Sequence, residues 1–216
     1  NFKEASAILD RLIPTLGEDY RKVRSICEYL ESSDDISGLV HILEKLIDKP
    51  IHKRYALLKL MQHRSASAPI EDLLGWMARL SKMDDLESSF SESYLYFELL
   101  NPQLPAPSQK LDRLIGEAKA FQGKENTMRT RITLALAHLR NHSPDLALVA
   151  LGRPENWRNW RDSRAAWAFI SAQVFKLNHD SEKALVVSSK VDFKKMDRAE
   201  RESLQKLFPE EFPLNQ

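Results

Sequence analysis

Apolar residues recur three and four positions apart along almost the whole chain, and this spacing constrains the fold more than any other feature. A 3.6-residue period lays one apolar stripe along a helix, whereas a half-buried strand needs strict alternation. Ala5, Ile8, Leu9 and Leu12 make a first stripe, closed by Pro14 and Gly17. Val23, Ile26 and Leu30 make a second, and Ile36, Leu39, Val40, Leu43, Leu46 and Ile47 a third, with Asp35 or Ser37 placed to cap it. Pro50 and Pro69 are expected at the starts of a fourth and a fifth helix, where a missing N–H costs nothing. The fourth carries Tyr55, Leu58 and Met61, and the fifth Leu73, Leu74, Met77 and Leu80. A sixth is expected from about Asp84 to Leu100, and a seventh carries Leu111, Leu114, Ile115, Ala118 and Phe121 up to Gly123. Between them Pro102, Pro105 and Pro107 force the segment 101–108 into an extended loop, read as an excursion between helices and not as a domain boundary.

Two helix pairs follow in quick succession, 125–141 with 144–151 and 163–178 with 181–189, and a charge-rich last helix runs from about 196 to 208. The pairs carry matching residues. Ala135, His138 and Ala147 recur as Ala172, Phe175 and Ala184, each 37 positions on. A period of this length over helix-turn-helix content is the mark of an α-helical repeat, because one hairpin cannot bury its apolar face alone.

These residues resemble the tetratricopeptide repeat over about residues 128–191. Leu134, Ala135, His138, Ala147 and Leu151 fall where that family has Leu, Gly, Tyr, Ala and Phe, and Ala172, Phe175 and Ala184 match again. Arg131 and Ala168 stand where the family often has Trp, and Asn159 and Met196 stand where a proline usually ends the repeat. The resemblance implies an all-α, right-handed α-α superhelix of about a dozen helices in stacked antiparallel pairs. The chain is expected to be one helical-repeat domain over 1–216. It would comprise divergent hairpins over 1–100, the Pro-rich loop 101–108, tetratricopeptide-like hairpins over 109–191, and a capping helix and tail over 192–216. The resemblance also implies a groove lined by the first helix of each pair, which would place Arg129, Arg140, Gln173 and Lys176 on it. Such a basic groove suits an acidic peptide or a C-terminal carboxylate; an ordinary solvated helix face is the alternative.

Charge excludes less than pattern does. The net charge is +1, so no global field draws the chain to nucleic acid or membrane. Residues 1–106 carry a net −4 and residues 107–216 a net +5, enough to bias a local patch only. No stretch reaches the roughly 18–20 uncharged apolar residues that span a bilayer. The lone cysteine, Cys27, rules out an intramolecular disulfide and reads as a small buried hydrophobe. The chain begins at Asn1 and is expected to be part of something longer, cytoplasmic or, if a leader or anchor was removed, periplasmic.

No phosphate loop, nucleophile elbow or metal-binding motif occurs, so no cofactor and no catalytic residue is expected. His138 and His142 stand four apart on a predicted helix without a third ligand at a recognisable spacing, which favours packing or surface roles over a metal. The acidic pairs Asp34–Asp35, Glu71–Asp72 and Asp84–Asp85 precede or open helices, where negative charge complements the dipole. The segment 153–167 gathers three of the four tryptophans with Arg153, Arg158, Arg161 and Arg164. Arg and Trp together grip carboxylates, bases or peptides, so Trp157, Arg158 and Arg161 are candidate contacts. The same residues also suit the sealing of a junction between two repeats. The function expected is a non-enzymatic scaffold holding a protein or peptide on a concave helical surface. The alternatives are a nucleic-acid-binding repeat and a regulatory domain of a longer enzyme or membrane-anchored protein.

Overall fold

The protein is all-α. A computed structural model describes residues 11, 14, 19–83, 88–152 and 165–211, and among them there are eleven α-helices and no strand. These helices are α1 (Tyr20–Ser32), α2 (Ile36–Leu46), α3 (Lys53–Arg64), α4 (Ile70–Leu80), α5 (Ser88–Leu100), α6 (Gln109–Lys124), α7 (Met128–Arg140), α8 (Pro144–Leu151), α9 (Ala165–Leu177), α10 (Ser181–Ser188) and α11 (Arg198–Leu207). Single turns of 3-10 helix follow at Phe193–Lys195 and Pro209–Glu211. No described helix is long and apolar enough to cross a membrane. The chain divides into two compact units. One takes Asn1–Ala66 with Arg79–Asp84, the other Ser67–Ala78 with Asp85–Gln216.

In the first unit α1 packs on α2 and α2 on α3. Asp19 caps α1 by accepting from the amides of Arg21 and Lys22, and Asp35 caps α2 by accepting from Gly38. The core is Val23, Cys27 and Leu30 against Leu39, Ile42, Leu43 and Leu46, with Ala56, Leu57 and Leu60 from α3. Two expectations are corrected in α3. Pro50 sits in a turn, and the helix opens after His52, whose carbonyl takes the first helical bond from Ala56. The buried stripe is Ala56, Leu57 and Leu60, while Leu58 is exposed; two adjacent leucines permit either phase, and packing on α2 selects one.

In the second unit α5 packs on α6 and α7, α6 on α7, α7 on α8 and α9, and α9 on α8 and α10. Segment 101–108 is an irregular loop between α5 and α6, and Ser108 caps α6 by accepting from the Leu111 amide. Thr127 and Thr130 form a capping box that starts α7 three residues later than the periodicity predicts.

Three hairpins turn in the same way. Each first helix ends on a residue in the left-handed region: Asp34 (φ 58°), His142 (φ 53°) and His179 (φ 61°). The amide after it reaches back five residues, Asp35 to Leu30, Ser143 to His138 and Asp180 to Phe175, each at 2.9 Å. The left-handed residue's own amide reaches back three, to Glu31, Leu139 and Lys176. This paired pattern satisfies orphan carbonyls at a helix end. Asp35, Ser143 and Asp180 then serve as N-caps of the following helices, so one residue ends a helix and opens the next. Cys27 and Leu39 in α1–α2 hold the places of Ala135 and Ala147, and of Ala172 and Ala184. Cys27, Leu39, Ala135 and Ala147 are fully buried, Ala172 is nearly so, and Ala184 is half-buried.

Candidate functional site

The residues expected to line a basic groove are largely engaged within the protein. Arg140 is only 7% exposed. Its Nη1 donates to the Asn101 carbonyl at 3.1 Å and its Nη2 to the Leu104 carbonyl, so the guanidinium binds the start of the loop that leaves α5. Burial lowers its pKa from the ordinary arginine value, and the two loop carbonyl oxygens that it donates to offset part of that cost. This placement corrects the expectation of an open, cationic position. The cause is the last turn of α7, which faces the loop after α5.

Arg129 pairs across to α5. Its Nε lies 3.5 Å from Oε2 of Glu92, and its Nη2 donates to the Ser93 hydroxyl and the Ser89 carbonyl. Glu92 is buried, and its Oε1 has no hydrogen-bond partner among the described residues. Burial holds this carboxyl above the usual range, Arg129 pulls it back, and Glu125 adds to the rise. Gln173 is buried in α9. Lys176 is more open and pairs with Glu211 in the last 3-10 turn. Trp157, Arg158 and Arg161 lie outside the described residues, as does most of the segment 153–167.

The helices that carry these side chains differ in exposure. Every residue from Ile132 to Arg140 in α7 is buried, and so is every residue from Ala168 to Phe175 in α9. A helix apolar or buried all round is enclosed, not surface-lining. The partners α8 and α10 each bury one side. Their other side shows Leu146 (51% exposed) and Val149 (76%) on α8, and Leu185 (73%) and Val186 (58%) on α10. Val149 and Val186 are 37 residues apart and so occupy the same register in consecutive hairpins. Periodicity alone missed them, because valine and leucine in a predicted helix read as core.

Sequence reasoning also missed what joins the two hairpins. Asn178 donates through Nδ2 to the Pro144 carbonyl at the start of α8, 2.9 Å away, and to Val174 in its own helix at 2.8 Å. The signal was present: the dipeptide Asn-His occurs at 141–142 and again at 178–179. His142 is exposed in the turn beyond α7, whereas the His138 ring is buried within it, which corrects the reading of both on one helix. Burial lowers the His138 pKa from its ordinary 6.5, with Lys119 adding to the effect, and its Nδ1 has no hydrogen-bond partner among the described residues. His138 is the counterpart of Phe175 and packs as a ring.

In the first unit, Glu31 of α1 accepts from Lys59 Nζ at 2.8 and 2.9 Å and lies 3.0 Å from His63 Nε2, tying α1 to α3. The Lys59 hydrogen bond holds the Glu31 carboxyl below the usual range, and His63 helps. Burial pushes the Cys27 thiol up to about 11, which leaves it an inert core residue. Among the described residues no three His, Cys, Asp or Glu side chains gather to hold a metal. Comparison of the chain with family models, with curated proteins and with solved structures gives no match.

Proposed function

We propose that the chain is a protein-interaction scaffold built as a right-handed superhelix of tetratricopeptide-like hairpins. The shared turn and the buried small residues at positions 135, 147 and 172 support the repeat reading. The observation that carries the function is the pair of exposed apolar positions on α8 and α10. Isolated exposed leucines are ordinary, but large apolar side chains that recur at one register along consecutive hairpins make a partner surface. The partner is a protein segment that offers apolar side chains to Leu146, Val149, Leu185 and Val186. This moves the expected contact from the first helices to the second helices of the hairpins, since Arg129 and Arg140 are already engaged and Gln173 is buried.

The test is site-specific photo-crosslinking in the native cell. A photoreactive residue at 149 or at 186 should trap the same partner, and one at Glu117 should not. Adding Leu146→Glu and Leu185→Glu should abolish both products while the circular dichroism stays native. No product at either position, in a folded protein, removes this surface and the scaffold reading built on it.

A further inference from the structure

Helix α9 is buried beyond what α7, α8 and α10 cover, and the chain's own C-terminal segment packs against it. Helix α11 packs on α5 and on α9, two of the helices that α7 also contacts. The Tyr96 hydroxyl of α5 donates to Oε1 of Glu200 at 3.2 Å, inside the protein. Phe169 of α9 meets the rings of Phe193 and Phe208, at centroid distances of 6.0 and 5.8 Å, both edge-on. Lys176 pairs with Glu211 just beyond. Residues 193–211 thus hold α9 from both ends of α11 and reach α5 through Glu200.

The seat is small and partly polar. Helix α11 buries Ala199, Glu200, Ser203 and Leu204, and the Ser203 hydroxyl has no hydrogen-bond partner among the described residues. An unsatisfied hydroxyl subtracts from what burying Leu204 contributes. A helix of ten residues is too short to persist alone in water, so α11 is helical because it is seated. Its outer side, with Arg198, Arg201, Gln205 and Lys206, is solvated.

We propose that segment 193–211 is a tethered helical ligand, and that its seat on α5 and α9 accepts in its place a partner's amphipathic helix of the same chemistry. That helix carries the pattern Ala-Glu-x-x-Ser-Leu of residues 199–204, with a carboxylate for Tyr96 and an aliphatic side chain one turn on. This face is separate from the α8/α10 surface, and the inference stands or falls without it. A short tether gives the segment an effective concentration of about a millimolar, so a free helix of equal affinity competes poorly until the segment is weakened.

The probe is a fluorescein-labelled peptide of residues 192–211, read by anisotropy against the full-length chain. The double substitution Glu200→Lys with Leu204→Asp, made in the chain, should raise its affinity for the unmodified peptide at least tenfold over the unsubstituted chain. The same two changes in the peptide should abolish binding. A natively folded variant that binds the peptide no better than the original chain overturns the proposal. Hydrogen exchange on the unsubstituted chain decides independently of how the variant folds. The α11 amides should be at least tenfold less protected than those of α7, and less protected still in excess peptide. Exchange of α11 and α7 in one cooperative step, unaffected by peptide, overturns it as well. Loss of crosslinks at 149 and 186 would affect neither result.

Discussion

The first helices of the two C-terminal hairpins, α7 and α9, are enclosed on every side along most of their length, whereas the second helices, α8 and α10, bury one side and show leucine and valine on the other. Both kinds are rich in apolar residues, and composition does not separate them. The difference lies in neighbours: α7 touches α5, α6, α8 and α9, while α10 packs chiefly on α9. Within one hairpin, then, the same apolar content serves as core in one helix and as exposed surface in the other. Among the described residues, the exposed apolar side chains of these hairpins thus lie on the second helices and not on the first.

Substitutions on matched positions break or sharpen this contrast. The largest effect is expected at Ala147, which is fully buried. Ala147→Leu should destabilise by about 2 kcal/mol or more in urea unfolding, whereas Ala184→Leu, at the half-buried counterpart, should cost under about 1 kcal/mol. Equal costs would mean that the two hairpins are packed alike after all. Next, Arg140→Ala removes a buried guanidinium from two carbonyls and should cost about 2 kcal/mol, with faster amide exchange across 101–108 as its local signature. Asn178→Ala should cost about 1 kcal/mol by cutting the link to Pro144, and Asn141→Ala less, since among the described residues no such link is made from the end of α7.

His138 yields a pH test. Its folded pKa is lowered, so the unfolded chain takes up the proton first. The stability it contributes is present above about pH 6.5 and is lost as the pH falls through the lowered folded value. His138→Phe, the residue its counterpart already uses, should flatten the fall in urea midpoint between pH 7.5 and 5 relative to the original chain. An unchanged slope would place the titrating group elsewhere. The smallest effect on stability is expected at the second-helix surface: Val149→Asp and Val186→Asp should each stay within about 0.5 kcal/mol, while partner crosslinking at the neighbouring position is lost. A large destabilisation at Val149 would show that α8 is covered in the folded protein and would dissolve the contrast.

Much of this architecture is legible from residue spacing. The limits of α8, 144–151, coincide with those read from the sequence, and α10 differs by one residue, because Pro144 and Asp180 mark their starts locally. The small residues at 135, 147 and 172 pointed to close helix crossings, and all three are buried. What spacing could not convey was phase and partnership. Leu57 and Leu58 are indistinguishable until α2 covers one of them. Arg140 reads as solvent-facing until the loop after α5 arrives beneath it. The hairpin α1–α2 repeats the turn of the other two with Ser33-Asp34 in place of Asn-His, so a sequence search for the dipeptide passes it by.

By itself, then, the sequence determined the helices, their order and their short turns, because periodicity, proline and cap residues act within a few positions along the chain. Only the tertiary structure decided which apolar faces are core and which are surface, and that the last helix seats itself on α5 and α9. Burial and pairing depend on residues far apart in the chain: Tyr96 and Glu200 meet across 104 positions, a relation no local pattern encodes.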